Sequence, residues 1–152
     1  MPHIHDKIDF TVEVFVVCKD KVLLRKHDKY KFWLSVGGHI ELDEDPNEAA
    51  VREVKEEVGL DVVLYDNLKH LPKTEKWKEI ISPVMMNRHR INEKHEHVTF
   101  VYFGKSKTDK LVLSESEKGE CRWFTKEELL DKSFGIKEEV SFYAKMALDR
   151  LS

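Results

Sequence analysis

Apolar and polar positions alternate over the first part of the chain, which is the two-residue period of a β-strand. The clearest run is residues 9–18, DFTVEVFVVC, which is rich in β-branched and aromatic residues. Residues 21–25 continue as a second strand after a turn, and residues 33–37 predict a third, shorter strand.

The period becomes helical after Asp45. This residue suits an N-cap, and Pro46 suits the first helical position, where its missing N–H leaves no hydrogen bond unmade. Glu48 has the spacing of a capping box, and Gly59 suits a left-handed C-terminal cap. At about 100° per residue, three valines share one face, which we expect to pack on the core: Val51, Val54 and Val58.

The rest of the pattern predicts four further strands and two helices, all within a single domain of residues 1–152. The strands are predicted at residues 61–65, 80–90, 98–105 and 121–124, with the middle two antiparallel. Thr125 begins a second capping-box pattern, and residues 136–151 have the apolar spacing of a final helix. This order favours a mixed sheet packed against helices.

Three glutamates crowd one side of the first predicted helix. Glu53, Glu56 and Glu57 have the i, i+3 and i+4 spacing that brings side chains together on a helix surface. Their like charges repel, and a hard cation such as Mg²⁺ or Mn²⁺ relieves that repulsion by binding carboxylate oxygens. Ala49 and Ala50 lie near the same side, where we expect their small side chains to leave room for a phosphate chain.

Arg52 is adjacent to this carboxylate group, and we expect its guanidinium to hold one carboxylate in place by a bidentate contact. A charged helix face is more often only solvated, with Lys55 pairing its neighbours, so the glutamate spacing alone does not decide the matter. The added positions of Gly38, Glu44 and Gly59, all in register with the glutamates, favour the functional interpretation.

Residues 37–60 resemble the signature of the Nudix hydrolases, G-x5-E-x7-R-E-U-x-E-E-x-G-U, where U is a bulky aliphatic residue. Every constrained position is matched: Gly38, Glu44, Arg52, Glu53, Val54, Glu56, Glu57, Gly59 and Leu60. The resemblance implies an α+β fold, an α/β/α sandwich with a mixed β-sheet that carries the signature as a loop–helix–loop. Val36 departs from the commonest family pattern, in which proline precedes the glycine pair.

The implied reaction is hydrolysis of a diphosphate linkage in a nucleoside diphosphate derivative, such as a nucleoside triphosphate or a nucleotide sugar, by attack of water on phosphorus. Mg²⁺ or Mn²⁺ is the implied cofactor. The resemblance assigns it to the backbone carbonyl of Gly37 and to three carboxylates: Glu53, Glu56 and Glu57. The implied catalytic group is Glu44, Arg52, Glu53, Glu56 and Glu57.

Family members use either a signature glutamate or a glutamate from a distant loop as the general base. Glu53 is the predicted base within the signature. Glu93 and Glu96 are loop candidates, and Glu96 is favoured as a further metal ligand because it lies just before a predicted strand. Glu44 is expected to anchor the signature loop to the helix.

Substrate contacts are predicted from position alone. Arg25, at the end of the second strand, is a candidate phosphate contact, although a surface arginine is the commoner role. Trp33, with Tyr30 and Phe32, is a candidate for stacking on a base, and core packing is an equal alternative. The full set of predicted substrate contacts is Arg25, Trp33, Gly38 and His39.

The composition of the chain restricts the classes of binding partner that we expect. The net charge is −3, so the chain does not have the excess of basic residues that is typical of a nucleic-acid-binding domain. A small nucleotide is therefore the expected substrate, and nucleic acid is not expected. No apolar run approaches the length of a membrane span and no signal-peptide core is evident, so we expect a cytoplasmic protein without membrane contact. Homodimers are common in the family, and the resemblance leaves a homodimer open.

Two alternative functions share the resemblance. A non-catalytic, nucleotide-sensing Nudix-like module tends to lose signature carboxylates, and this chain keeps them all. An RNA 5′-end pyrophosphohydrolase would need a basic surface, for which residues 87–90 are the local candidate. Hydrolysis of a small nucleotide is ranked above both.

Eight histidines are scattered along the chain without an HExxH zinc pattern. His89, His95 and His97 are close enough in sequence for a ligand cluster, but the favoured interpretation is solvent-facing histidines that flank a strand turn. His3 and His5 are expected to belong to a frayed terminus.

Overall fold

The computed structural model describes residues 3–115 and 119–152, which form eight β-strands and three α-helices. The strands are β1 (Ile8–Cys18), β2 (Lys21–Lys26), β3 (Trp33–Leu34), β4 (Val36–His39), β5 (Val62–Leu64), β6 (Met85–Asn92), β7 (His95–Ser106) and β8 (Cys121–Phe124). The helices are α1 (Pro46–Val58), α2 (Lys126–Leu130) and α3 (Glu138–Leu151). Within these described residues, no helix combines the length and the apolar character needed to cross a membrane.

One mixed sheet contains all of these strands. β1 lies at its centre, where it pairs in parallel with β7 and antiparallel with β2 and β4. β2 also pairs with β3 and β8, and β7 also pairs with β5 and β6, in every case antiparallel. The mixed sheet and the α+β class are therefore confirmed.

Helices cover both faces of the sheet. Successive strand residues point to opposite faces of a sheet. One face of β1 therefore packs in a core cluster with α1 through Val12, Val14 and Val16. Phe15 and Val17 pack in a second cluster with α2 and α3. The predicted α/β/α sandwich is thus confirmed, and we refer below to the α1 face and the α3 face of the sheet.

The ends of α1 lie where the caps predict. The Asp45 carboxylate accepts a hydrogen bond from the Glu48 N–H at 2.9 Å, and the Glu48 carboxylate accepts one from the Asp45 N–H at 3.2 Å. Gly59 ends the helix with a φ of 73°, and its N–H donates to the carbonyl of Lys55. Local sequence is therefore sufficient to fix both boundaries.

The buried side of α1 agrees with the prediction at Val54 and Val58, which are fully buried, and differs at three other positions. Val51, expected in the core, is 40% exposed, whereas Ala49 and Ala50, expected beside a phosphate chain, are fully buried. Both expectations are wrong. The two alanine side chains belong to the core cluster on the α1 face, where their small size lets the first turns of the helix approach the sheet closely.

Two strand predictions are also corrected. The predicted strand at residues 33–37 is divided at Ser35, because β3 pairs with β2 and β4 pairs with β1. The predicted strand at residues 80–90 begins only at Met85. Ile81, ahead of it, binds α1 instead: Asn47 Oδ1 accepts from the Ile81 N–H at 2.7 Å, and Asn47 Nδ2 donates to the Ile81 carbonyl at 2.9 Å.

Candidate active site

Arg52 joins the signature loop to the signature helix. Its Nε and Nη2 donate to the two carboxylate oxygens of Glu44, at 2.9 and 2.6 Å, and Nη2 also donates to the His39 carbonyl at 3.0 Å. Its Nη1 donates to Glu53 Oε1 at 3.1 Å and to Glu56 Oε2 at 3.0 Å. The expected bidentate contact is present, and its partner is Glu44.

Glu44 is held in place by hydrogen bonds from both the loop and α1. Its Oε1 also accepts a hydrogen bond from the Glu41 N–H at 2.9 Å. The hydrogen bonds from Arg52 hold the pKa of Glu44 below its ordinary value, and the same contact raises the pKa of Arg52. The geometry is that expected of a residue that anchors the loop to the helix.

Glu53 is the buried carboxylate of the signature, at 4% exposure. Burial raises its pKa above the ordinary value, and the charge of Arg52 opposes that rise. Glu53 lies directly against Gly38: a Cβ at position 38 would stand 2.3 Å from Glu53 Oε1. Glycine is therefore needed at position 38 to leave space for this carboxylate.

Glu57 faces a second arginine. Its Oε2 lies 3.2 Å from Nε of Arg25, and both side chains are mostly buried. Arg25 was predicted to contact phosphate from its place on β2, and the structure brings it to the signature carboxylates. Glu56 is the open member of the group, with 59% of its side chain exposed.

The donor set fits a hard divalent cation. Glu53, Glu56 and Glu57 offer only oxygen atoms, the ligands that Mg²⁺ and Mn²⁺ prefer. With Glu44 ionised as well, four carboxylates stand against the two guanidinium groups of Arg25 and Arg52, which leaves a formal charge of −4 + 2 = −2. The site is thus electrostatically disposed to take up a cation.

Two predicted glutamates lie elsewhere. Glu96 is in β7 beside Ile8, and its carboxylate accepts hydrogen bonds from Nε and Nη2 of Arg88 at 2.8 and 3.0 Å. Glu93 is exposed in the two-residue turn between β6 and β7. The structure gives Glu96 a partner outside the signature, so its role as a metal ligand remains a prediction.

Trp33 lies in the core rather than at an open surface. It is 4% exposed and packs edge-on against Phe124, with ring centroids 4.9 Å apart. The core alternative therefore describes it better than base stacking. Tyr30 and Phe32 stack on each other in the preceding loop, with ring centroids 5.8 Å apart.

His39 and Gly38 are adjacent in β4 and therefore face opposite sides of the sheet. β4 pairs Gly38 with Val12 and His39 with Thr11, so Gly38 lies on the α1 face and the His39 ring lies on the α3 face. There, His39 Nε2 is 2.9 Å from Asp9 Oδ2. The prediction that His39 contacts substrate beside Gly38 receives no support from this orientation.

The expectation of solvent-facing histidines holds for His89, which is exposed, and is wrong for His95 and His97. His95 is 4% exposed, and its ring centroid lies 5.0 Å from that of His97 and 3.7 Å from that of His3. His3 is therefore held against the sheet rather than frayed. The rings of His39 and His89 lie 5.2 and 5.7 Å from His97.

The pKa values of this histidine group follow from crowding. Burial lowers the pKa of His97 to about 4, and the neighbouring histidines add to the effect. Burial also lowers the pKa of His39, although Asp9 opposes it. Sequence reasoning considered His95 and His97 as a ligand cluster, but it missed Asp9 and assigned His3 to a frayed terminus. The available signal was the His-x-His spacing at residues 95–97, which places both rings on one face of a strand.

Comparison with known proteins supports the same signature. A family model described as the NUDIX domain matches residues 9–146. A NUDIX-family hydrolase from Clostridium perfringens has a similar structure, with a TM-score of 0.82 and 37% sequence identity. That alignment covers 93% of this chain and 96% of the other.

Similarity to curated enzymes is confined to a shorter segment. The dihydroneopterin triphosphate diphosphatase of Haemophilus influenzae is 44% identical over 55 residues, which are 34% of this chain and 35% of that enzyme. The enzyme of the same name from Escherichia coli strain K12 is 49% identical over 45 residues, or 30% of each chain. The chain thus matches about a third of the length of these relatives.

These relatives are hydrolases or diphosphatases by name, in agreement with the prediction of a Nudix-type enzyme. The family match spans most of the chain and includes every residue of the signature. This chain therefore belongs to the NUDIX family of hydrolases.

Proposed function

We propose that this chain is a metal-dependent hydrolase that cleaves a diphosphate linkage in a nucleoside diphosphate derivative. The observation that carries this proposal is the convergence of the signature side chains between the second half of α1 and the loop that precedes this helix. Arg52 contacts three carboxylates at once, and a buried one, Glu53, lies against a glycine that leaves it just enough space. The repulsion among these crowded carboxylates destabilises the folded protein when no cation is bound, and a bound cation would relieve it.

The residues of the site have different proposed roles in the reaction. Glu53, Glu56 and Glu57, with the Gly37 carbonyl, are the proposed ligands of Mg²⁺ or Mn²⁺. When bound, such an ion supplies charge neutralisation on the phosphates and acidifies a water molecule. Arg52 keeps the carboxylates in position, because its other contacts with Glu44 and His39 fix the guanidinium itself.

The proposed reaction is a displacement at phosphorus. The oxygen of water forms a bond to one phosphorus atom, and the bridging P–O bond breaks. The second phosphate group leaves with the bonding electron pair. The proton of the water passes to a carboxylate, for which Glu53 is the proposed acceptor. Arg25, which lies beside Glu57, is the proposed contact for a phosphate oxygen of the substrate.

The curated relatives suggest which substrates to try first. They are named for a triphosphate, dihydroneopterin triphosphate, so triphosphates of nucleosides and of this pterin are the first candidates. The segment shared with them is short, and nucleotide sugars remain the next class. We propose a small cytoplasmic metabolite rather than a nucleic acid as the substrate.

A hydrolysis panel with Mg²⁺ and with Mn²⁺ tests the proposal. It comprises nucleoside triphosphates, dihydroneopterin triphosphate, nucleotide sugars, dinucleoside polyphosphates and 5′-triphosphate RNA. Glu57→Gln removes one proposed ligand while keeping its size, and Glu127→Gln is the matched control, since Glu127 is exposed on α2. Metal-dependent turnover of one class, lost in Glu57→Gln and kept in Glu127→Gln, is the expected result.

Two results would point elsewhere. Tight binding of a nucleotide without turnover of any compound would favour the sensing module. Turnover confined to RNA, with binding that weakens steeply as salt is raised, would favour the RNA enzyme.

A further inference from the structure

A second group of metal-ligating side chains lies on the α3 face of the sheet, opposite α1. It consists of His3, Asp9, His95 and His97. Each residue offers one nitrogen or oxygen atom, and these four atoms all lie within 4.8 Å of one another. None of the four residues belongs to the Nudix signature, so the group is separate from the site described above.

Strand geometry brings three of these residues together. His95 and His97 alternate with Glu96 along β7, so both rings point to the α3 face while Glu96 points to the α1 face. β1 runs parallel to β7 with Asp9 directly opposite His97, which places the carboxylate beside the imidazole. This pairing belongs to the central strands of the sheet and is therefore rigid.

The N-terminal segment supplies the fourth side chain. The N–H of Ile4 donates to Asp9 Oδ2 at 3.1 Å, which turns the segment back toward the sheet. His3 Nδ1 then lies 3.6 Å from the same oxygen. His3 is thus held over the other ligands although it is close to the terminus.

Two buried ring nitrogens of the group are without a partner. Nδ1 of His95 lies 3.0 Å from the carbonyl of Asp6, which can only accept, so Nδ1 carries the proton and Nε2 carries a lone pair. Nε2 of His95 and Nε2 of His97 are both buried, and neither has a hydrogen-bond partner within residues 3–115 and 119–152. Buried polar atoms are rarely left in this state, and metal ligation would satisfy both.

The contact between His95 and Asp6 is also one that a ligating histidine needs. Metal-bound imidazoles usually donate their other N–H to a carbonyl or a carboxylate, which fixes the orientation of the ring. Asp9 is oriented in a comparable way, because its Oδ2 lies 2.9 Å from His39 Nε2 and accepts from Ile4. Outer contacts of this kind are thus already formed for His95 and Asp9.

The donor set decides the kind of metal. Three imidazoles and one carboxylate suit a borderline ion in tetrahedral coordination, whereas Mg²⁺ prefers oxygen ligands only. We propose that His3, Asp9, His95 and His97 bind one zinc ion. The ion ties the N-terminal segment to the first residues of β7, and its ligand Asp9 contacts His39 of the signature loop.

Zinc titration of the metal-free protein tests this inference. The full chain, without a histidine tag, is freed of metal with a chelator and titrated calorimetrically with Zn²⁺ in the presence of excess Mg²⁺, which occupies the signature carboxylates. Two variants remove one ligand each, His3→Ala and His97→Gln. His3 is exposed, so His3→Ala keeps the fold, and His5→Ala is its matched control, two residues away and outside the group.

The expected result is one equivalent of Zn²⁺ that excess Mg²⁺ does not displace. Its affinity falls at least about tenfold in both ligand variants and is unchanged in His5→Ala. With Co²⁺ in place of Zn²⁺, the protein is expected to show the visible absorption of a tetrahedral site. His3→Ala and His97→Gln are expected to lose this absorption, and His5→Ala is expected to keep it. The inference is overturned if no equivalent is retained against Mg²⁺, or if His3→Ala and His5→Ala bind Zn²⁺ equally well. Neither result depends on whether the signature site hydrolyses a nucleotide.

Discussion

Gly38 and Glu53 are packed so closely that a side chain at position 38 would collide with the carboxylate. A Cβ would stand 2.3 Å from Oε1 and 2.4 Å from Cδ of Glu53, well inside van der Waals contact. Glu53 is buried and is held by Arg52 Nη1, so it can make space only by giving up that hydrogen bond. The loop glycine and the helix carboxylate are therefore one structural unit.

We predict that Gly38→Ala lowers kcat/KM at least about tenfold, which corresponds to about 1.4 kcal/mol, because Glu53 is pushed out of position. Overpacking also lowers the free energy of unfolding by about 1–3 kcal/mol. Gly135→Ala is the control, because Gly135 has a φ of 65° and no atom lies within 4 Å of a Cβ added there. It is expected to lose stability through backbone strain while keeping full activity. Full activity in Gly38→Ala would contradict the role assigned to this contact.

The contact between Glu44 and Arg52 makes a second prediction. Glu44→Gln removes a carboxylate that accepts two hydrogen bonds from Arg52. We expect the free energy of unfolding to fall by about 1–3 kcal/mol, measured by denaturant titration. We also expect the Mg²⁺ concentration needed for half-maximal activity to rise, because the released guanidinium competes more strongly for Glu53 and Glu56.

Glu48→Gln is the matched control for this variant. Glutamine at the third helical position preserves a capping box, so the loss of this one charge from α1 leaves stability nearly unchanged. If Glu44→Gln and Glu48→Gln were equally stable and equally responsive to Mg²⁺, Glu44 would not be the anchor of the loop.

Arg25 provides a third prediction. Its Nε lies 3.2 Å from Glu57 Oε2, at the edge of the carboxylate group. If it also contacts substrate phosphate, Arg25→Ala raises KM at least about tenfold with a smaller change in kcat, since binding is lost in the ground state and the transition state alike. Arg88→Ala is the control, because Arg88 pairs with Glu96 outside the signature. An unchanged KM with an altered Mg²⁺ requirement would show that Arg25 only positions Glu57.

Much of the signature region could be predicted because its interactions are local. The capping box of Asp45 and Glu48 and the left-handed Gly59 depend on residues within one or two helical turns. The clustering of glutamates depends only on helical spacing. The partner of Arg52 was not predictable in the same way, because Glu44 reaches it through the shape of the loop.

The orientation of α1 required knowledge of the sheet. A helical pattern shows which residues share a side, but the buried side depends on where the sheet lies and how closely the helix approaches it. Val51 is the larger apolar residue, yet Ala49 and Ala50 occupy the contact because close approach favours small side chains. Helical spacing therefore placed Val54 and Val58 correctly in the core but misplaced Val51.

The histidine group depends on long-range pairing. Thr11 and Thr99 are 88 residues apart in the chain, and their hydroxyl groups lie 2.7 Å apart in the structure. The parallel pairing that joins them also places Asp9 beside His97. One sequence contains no signal for that register, so only the His-x-His half of the group could have been anticipated.

Glu13 leads to a prediction about pH. It lies on β1, where its Oε1 accepts a hydrogen bond from the Ser35 hydroxyl at 2.7 Å. Burial raises the pKa of Glu13 above the ordinary value of 4.5, the Ser35 hydrogen bond opposes that rise, and the charge of Glu139 adds to it. A raised pKa means that the folded protein binds this proton more tightly than the unfolded chain does. The stabilising contribution is therefore complete below the ordinary pKa and is lost as the pH rises through the folded value.

Glu13→Gln replaces the carboxyl with a neutral amide of the same size whose oxygen can still accept from Ser35. The variant is expected to be more stable than the wild type near about pH 8, because it avoids burying a charge, and to lose this advantage below the ordinary pKa of 4.5. Denaturant midpoints measured across this range give the test, with Glu127→Gln as an exposed control that shows no such trend. A stability difference that stayed constant with pH would mean that the charge of Glu13 is not the cause.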